Sequence, residues 1–385
     1  MACGIFKNMK IIVAMDSMKG SLSSIEAGTV ICEVLAQLGE KDVQLFSLSD
    51  GGEGLLDALT PRKEQRCSCL VQGPLGEPLD VSWGVLPSGV CLIETATVCG
   101  LTLIPEEKRN PLNTTTYGLG LFLKEAIGQG YRDFLIGLGG SGTCDGGLGM
   151  LQALGLLALT HQGEVLPHCG RALQTLAKLD AAHFFPEKKL CHFRVACDVS
   201  NPLLGPNGAV TVFGPQKGLP LDEIPKLERG MAQFAALTTA CMGNNFQKTP
   251  GAGAAGGLGF AFLSYLDGVL LSGAELVMEA TGLDSALAEA DLVITGEGKI
   301  DRQTIFGKGP GALGKAAAKA GIPVWAFGGK VTLAKEDWPE AGFCLCREIT
   351  PAQMPLEKAM EPLWAKENLR KAVTEVYLAA RNEHQ

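Results

Sequence analysis

No stretch of this 385-residue sequence reads as a membrane span, because no run of about eighteen uncharged apolar residues occurs. The first ten residues, MACGIFKNMK, contain no apolar stretch of the kind a secretory leader needs. Positive charge is also short. Lysine and arginine total 33 against 41 acidic residues, a net charge of −8. With no broad positive field, neither nucleic acid nor an anionic membrane is an expected partner. Histidine is scarce, with five in all, and none falls at H-x-x-x-H spacing. The 13 cysteines include no C-x-x-C, only the C-x-C pairs Cys67/Cys69 and Cys344/Cys346. Zinc fingers and disulfide frameworks are therefore disfavoured, and free thiols in a reducing, cytoplasmic setting are expected. Charged residues make up only 19% against 46% hydrophobic, which excludes a disordered chain.

What the sequence has in abundance is glycine, 50 residues with no repeat period. These glycines have to be read locally. The apolar run KIIVAMD, residues 10–16, ends in an acid and suits a fully buried parallel strand; it starts just after Met9, which would serve as an alternative initiator. Ser23 and Glu26 then form a capping box, and apolar residues follow at helical spacing up to Gly39. Further strands are expected at 43–50, 291–298, 322–329 and 343–349, with helices at 310–321 and 356–381. This alternation predicts a doubly wound parallel sheet made from both chain ends. The middle reads differently. A hairpin is expected around Pro87-Ser88-Gly89, and strands at 131–140 and 192–202. The domains expected are 1–72 with 287–385, and a mixed α/β insert at 73–286.

Glycine-rich turns between strand and helix let backbone N–H groups approach phosphate. Residues 137–149, GLGGSGTCDGGLG, have that form and contain G-x-G-x-x-G. A nicotinamide cofactor is a weaker expectation, since no acid-ended strand follows about twenty residues on. Asp145 lies inside the turn, where an acid beside phosphate suits Mg²⁺. Gly139, Gly140, Ser141 and Gly142 are the expected phosphate-binding residues. A second segment, PGAGAAGGLGF at 250–260, contains Gly253 and Gly256 and fits either close helix packing or a ligand role. Gly309 to Lys315 spell G-x-x-x-x-G-K, but Ala316 lacks the hydroxyl of a phosphate-binding P-loop. Four expected strand ends carry acids or lysines: Asp16 to Lys19, Asp50 to Glu53, Cys197 to Asn201, and Thr295 to Asp301. Ligands of open α/β sheets bind beyond such ends. Clustered acids, lysine and glycine turns meet the needs of phosphoryl transfer. Lys19 is the expected phosphate contact and Asp198 the expected base, with Asp50, Glu297 and Asp301 as rivals for base or metal ligand. A non-catalytic binding protein for small organic acids is the other class considered, and the clustered acids disfavour it.

Eight segments, DSMKGSLS, SDGGEG, GPLGEP, GLGGSGTCDGGLGMLQALG, CDVSNPLLG, FGPQKG, PGAGAAGGLG and TGEGKIDRQTIFGK, resemble the bacterial glycerate kinase family. The likeness runs from about Lys10 to the last helix, and Cys144 stands where the family usually has an asparagine-type residue. The resemblance implies ATP, Mg²⁺ and D-glycerate, with 2-phosphoglycerate as product and 3-phosphoglycerate as the alternative. It also implies a flavodoxin-like domain from both chain ends with an inserted α/β domain of another type. Within the matching segments Asp50, Asn201 and Lys217 join the expected substrate- and phosphate-binding residues, Asp301 joins Asp198 and Lys19 as catalytic, and Glu297 joins Asp145 at the metal.

Overall fold

The computed structural model describes residues 9–18, 20–48, 54–60, 62–305 and 309–383. The chain opens with β1 (Lys10–Met15) and β2 (Asp42–Ser47). It continues through β3 (Arg66–Gln72), β4 (Pro78–Val85), β5 (Cys91–Glu94), β6 (Asp133–Gly137), β7 (Leu157–Leu159), β8 (Lys178–Asp180), β9 (His192–Ala196) and β10 (Val269–Leu271). It closes with β11 (Leu292–Ile300), β12 (Val324–Val331) and β13 (Leu345–Glu348). Two compact units result, Met1–Asp50 with Ser272–Gln385, and Gly51–Leu271.

The first unit holds an all-parallel sheet in the order β13-β12-β11-β1-β2. The unbroken apolar run of β1 follows from burial on both faces. Its pleat sends Ile11, Val13 and Met15 into one core, shared with the helices Ser24–Gln37 and Pro362–Glu383. Ile12 and Ala14 enter the opposite core, shared with the helices Gly273–Thr281 and Gly309–Lys319. The first helix starts where its sequence requires: Ser23 Oγ accepts from Glu26 N at 3.2 Å while Glu26 Oε2 accepts from Ser23 N at 3.1 Å. It stops at Gly39, whose φ of +97° suits a residue without a side chain.

The second unit has a mixed sheet in the order β10-β9-β6-β5-β4-β3. From β10 to β5 neighbours are parallel, and β4 and β3 add antiparallel pairs. The turn at Pro87-Ser88-Gly89 joins β4 to β5, with Gly89 at φ +86°. A single core around Trp83, Phe122, Phe134, Phe234 and Phe260 underlies the sheet. The parts divide elsewhere than the sequence suggests. Residues 66–72 pair along their whole length with β4 and so lie in the second unit's sheet. Met278, Leu283 and Leu287 pack in a core of the first unit. The physical reason for the first difference is that β3 is followed by a tight turn into an antiparallel partner, with no crossover helix.

Every cysteine among the described residues is a free thiol. Burial pushes several of these thiols up, Cys32 to about 11 and Cys99 to about 12. Among the described residues no helix is long and apolar enough to cross a membrane.

Candidate active site

In the first unit β1 and β11 are neighbours, with Met15 opposite Gly296, and Asp16 N donates to Gly296 O at 2.8 Å. The strand order reverses direction here, since β2 lies on one side of β1 and β11, β12 and β13 on the other. Such a switch point is where open α/β sheets bind ligands. Asp16 stands at the carboxyl end of β1, its Oδ1 accepting from Ser17 N at 2.6 Å. Glu297 lies late in β11, only 7% exposed, and its Oε1 accepts from Thr304 Oγ1 at 2.6 Å. Asp301 follows β11, paired with Lys299 at 3.1 Å and accepting from Gln303 N at 2.8 Å. These three acids share the wall of one cavity of about 750 Å³. Lys330 and Glu348, paired at 2.7 Å, line it from β12 and β13. Lys19 and Asp50 fall outside the described residues.

The second unit has its own carboxyl edge. Glu94 of β5, Gly137 of β6 and Ala196 of β9 stand in register across three parallel strands. Glu94, the loop after Gly137 and Asp198 therefore line up along one end of the sheet. Asp198 is exposed, two residues past β9. Asn201 donates from Nδ2 to Asn207 O at 2.8 Å, so its amide holds its own loop. Glu94 is 6% exposed and accepts from Leu56 N at 2.6 Å. Sequence reasoning missed Glu94 as a candidate. Its signal was present, an acid closing the apolar run VCLIE in the manner of KIIVAMD.

The glycine loop is largely internal. Gly139 is half-buried and Gly140 exposed, but residues 141–150 are buried. Gly140 O accepts from Leu101 N, and Gly142 N donates to Cys99 O, both at 2.8 Å. Only the tip, Gly139 and Gly140, reaches the surface. Ser141 Oγ accepts from Lys217 Nζ at 2.9 Å, and Nζ also donates to Thr143 O at 2.8 Å. Lys217 is 4% exposed, so its ammonium group supports the loop from beneath, whereas the sequence suggests a phosphate contact. Asp145 is fully buried and also differs from expectation. Its carboxylate accepts from Thr116 Oγ1 at 2.7 Å and from the N–H groups of Thr116, Gly147 and Gly149 at 2.9, 3.0 and 3.2 Å. Burial pushes this carboxyl up, and the four donors pull it down. Its oxygens are thus committed to organising the loop, which leaves little to offer a metal. Among the described residues no group of three His, Cys, Asp or Glu is placed to hold a metal ion.

The second glycine segment explains itself by packing. Gly256 has φ +69°, and a Cβ there would lie 2.0 Å from Thr143 O. Gly146 N donates to Gly256 O at 3.0 Å. A Cβ on Gly253 would lie 2.2 Å from Pro202 O, and Gly253 N donates to Asn201 O at 2.9 Å. Two glycine-rich backbones are pressed together, and neither Gly253 nor Gly256 presents itself to a ligand. Lys315 of the P-loop-like stretch donates to Ile305 O, an internal bond.

Comparison with known proteins agrees on one family. The model of the glycerate kinase family matches residues 11–381. A glycerate kinase of Bacillus subtilis (strain 168) is 41% identical over 92% of this chain and 93% of its own length. A glycerate 2-kinase of Escherichia coli (strain K12) is 40% identical over 84% of this chain and 86% of its own. A crystal structure provisionally assigned as glycerate kinase 2 of Salmonella typhimurium LT2 superposes with a TM-score of 0.87, at 36% identity, over 98% of this chain and 100% of that one.

Proposed function

The chain belongs to the glycerate kinase family, and on that premise we propose that it transfers the γ-phosphoryl group of ATP to the 2-hydroxyl of D-glycerate. The observation that carries this reading is the gathering of Asp16, Glu297 and Asp301 on one cavity wall at the switch point of the first unit's parallel sheet. Phosphoryl transfer asks a protein for positioning and for charge placed where charge develops.

Mg²⁺ fits the residues present as a hard cation held by oxygen donors, with one or two of Glu297, Asp16 and Asp301 the groups that would hold it. Such an ion commonly takes one or two carboxylates and completes its shell with phosphate oxygens and water, so a cage of three acids is not required. When bound it would neutralise charge on the transferred phosphoryl group. Lys19 offsets phosphate charge in this reading, and the loop tip at Gly139 and Gly140 turns backbone N–H groups toward phosphate. Asp198 accepts the proton of the attacking hydroxyl, with Glu297, Asp301 and Asp50 as rivals. Glycerate and ATP are then the small-molecule partners, and the cytoplasm is the expected compartment.

The deciding measurement mixes the protein with ATP, Mg²⁺ and D-glycerate and identifies the product by phosphorus NMR. The 2-phosphate is expected, and it feeds enolase directly. A coupled assay that works only with added phosphoglycerate mutase would assign the 3-hydroxyl. No phosphorylated glycerate at all would refute the kinase reading.

A further inference from the structure

The cavity of the first unit has two chemically distinct parts. Its sheet edge carries Asp16, Glu297, Asp301 and Glu348 together with Lys299 and Lys330. Both lysines are paired with acids, Lys299 with Asp301 at 3.1 Å and Lys330 with Glu348 at 2.7 Å. The rest of the lining includes Met18 and the segment that follows β13, with Ile349, Met354, Leu356 and Met360. Leu356 is 71% exposed and Met360 38%, so this segment offers apolar surface at the cavity. A three-carbon acid has no apolar group to set against the hydrocarbon that lines this space. The cavity, about 750 Å³, also has the capacity of a drug-sized ligand and exceeds what a three-carbon acid would fill. A flat, uncharged, aromatic group matches the apolar part. Methionine is suited to it, since its polarisable thioether adapts to ring faces and edges. Ser21 lines the same cavity, and its buried hydroxyl has no hydrogen-bond partner among the described residues.

We propose that this cavity receives the adenine ring of ATP, held against Met18, Ile349, Met354, Leu356 and Met360, with the phosphates running toward the acids at the ends of β1 and β11. The assignment rests on the kinase reading and adds to it the place of the nucleotide base. The segment after β13 thereby becomes the part of the chain that sets nucleotide affinity.

Ala352 lines the cavity and is exposed, so a larger residue there fills the space without entering a core. Binding of ADP to Ala352→Trp and Leu356→Asp, by titration calorimetry, is compared with wild type, together with KM for ATP and for glycerate. Both variants should weaken ADP and raise KM for ATP by at least about tenfold, equivalent to about 1.4 kcal/mol, with KM for glycerate within about twofold and an unchanged melting temperature. Irradiation with 8-azido-ADP should label the peptide spanning residues 349–360. Folded variants that bind ADP as wild type does would overturn the assignment while leaving the kinase reading intact. A rise confined to KM for glycerate would give the cavity to the acceptor instead. A wild-type protein that neither binds ADP nor turns over ATP would remove both.

Discussion

Asp145 and Lys217 are both buried, and both act electrostatically on the thiols of Cys99 and Cys144. They serve the same loop from two sides, Asp145 gathering backbone N–H groups and Lys217 holding Ser141 and Thr143. Removing either group leaves buried hydrogen-bonding atoms of that loop without their partner. Asp145→Asn also sets an amide NH₂ among donors. Each of Asp145→Asn and Lys217→Met should therefore cost about 3–5 kcal/mol, read from urea midpoints, and the double variant should lose clearly less than the sum. Additive losses would show that the two groups act independently. Asp198 differs in kind, being exposed at the end of a strand. As the base, Asp198→Asn should lower kcat by about 10²–10⁴ with ADP affinity retained. Rescue by high Mg²⁺ would make it a metal ligand, and an ordinary kcat would remove it from the chemistry. Cys99 gives a pH signature. Its thiol is held up at about 12 from an ordinary 9.0 by burial, so the unfolded chain loses its proton first. Stability from this group is complete below about pH 9 and falls by about 1.4 kcal/mol per pH unit as pH rises toward 12. Cys99→Ala should flatten that alkaline slope in denaturant titrations.

At the scale of elements, the two glycine segments form an interlock. Ala255, Gly256 and Gly257 all have positive φ inside the helix Ala254–Tyr265, so the helix is kinked where it meets the first loop. Gly256→Ala places a methyl group 2.0 Å from Thr143 O at a strained φ, and neither backbone can yield easily. It should lower the melting temperature far more than Gly39→Ala, where φ is +97° but nothing lies within 4 Å. Similar losses at the two sites would show that the close approach does not matter. The same contrast explains how much could be read from the sequence. Continuous apolar runs, the Ser23–Glu26 cap and the turn at Pro87-Ser88-Gly89 are local signals, and the corresponding strands, helix and hairpin form where they indicate. The acids at the ends of β1 and β11 were legible for the same reason. The purpose of Gly256 was not, because it depends on a carbonyl over a hundred positions away. Lys217 is a similar case, since a lysine in FGPQKG reads as a phosphate contact until its partners, Ser141 and Thr143, are known. Glu94 was obscured by its place in a hairpin, which drew attention to the turn and away from the strand's last residue.

At the scale of the whole molecule, the first unit is discontinuous while the second is one uninterrupted segment. Ile11 pairs with Leu292, and Lys10 N donates to Asp291 Oδ2 across 281 positions. Strand order in the sheet therefore differs from order of synthesis. On a ribosome, β1 and β2 emerge early, but the neighbour that β1 requires arrives only after the entire second unit has been made. At ~5–20 residues per second that interval is on the order of tens of seconds, and the second unit can fold within it. During this wait the edge of the largely apolar strand KIIVAM that β11 will occupy is unpaired, the kind of edge that recruits other chains. A chain ending at residue 271 should accordingly show a protease-resistant core beginning near residue 51, while residues 10–48 are cut early in limited proteolysis. Equal protection of both parts would mean that β1 and β2 find a stable place without β11. Newborn chains are then most vulnerable to association through their first strand, and a holdase that recognises exposed apolar strands would act on them there.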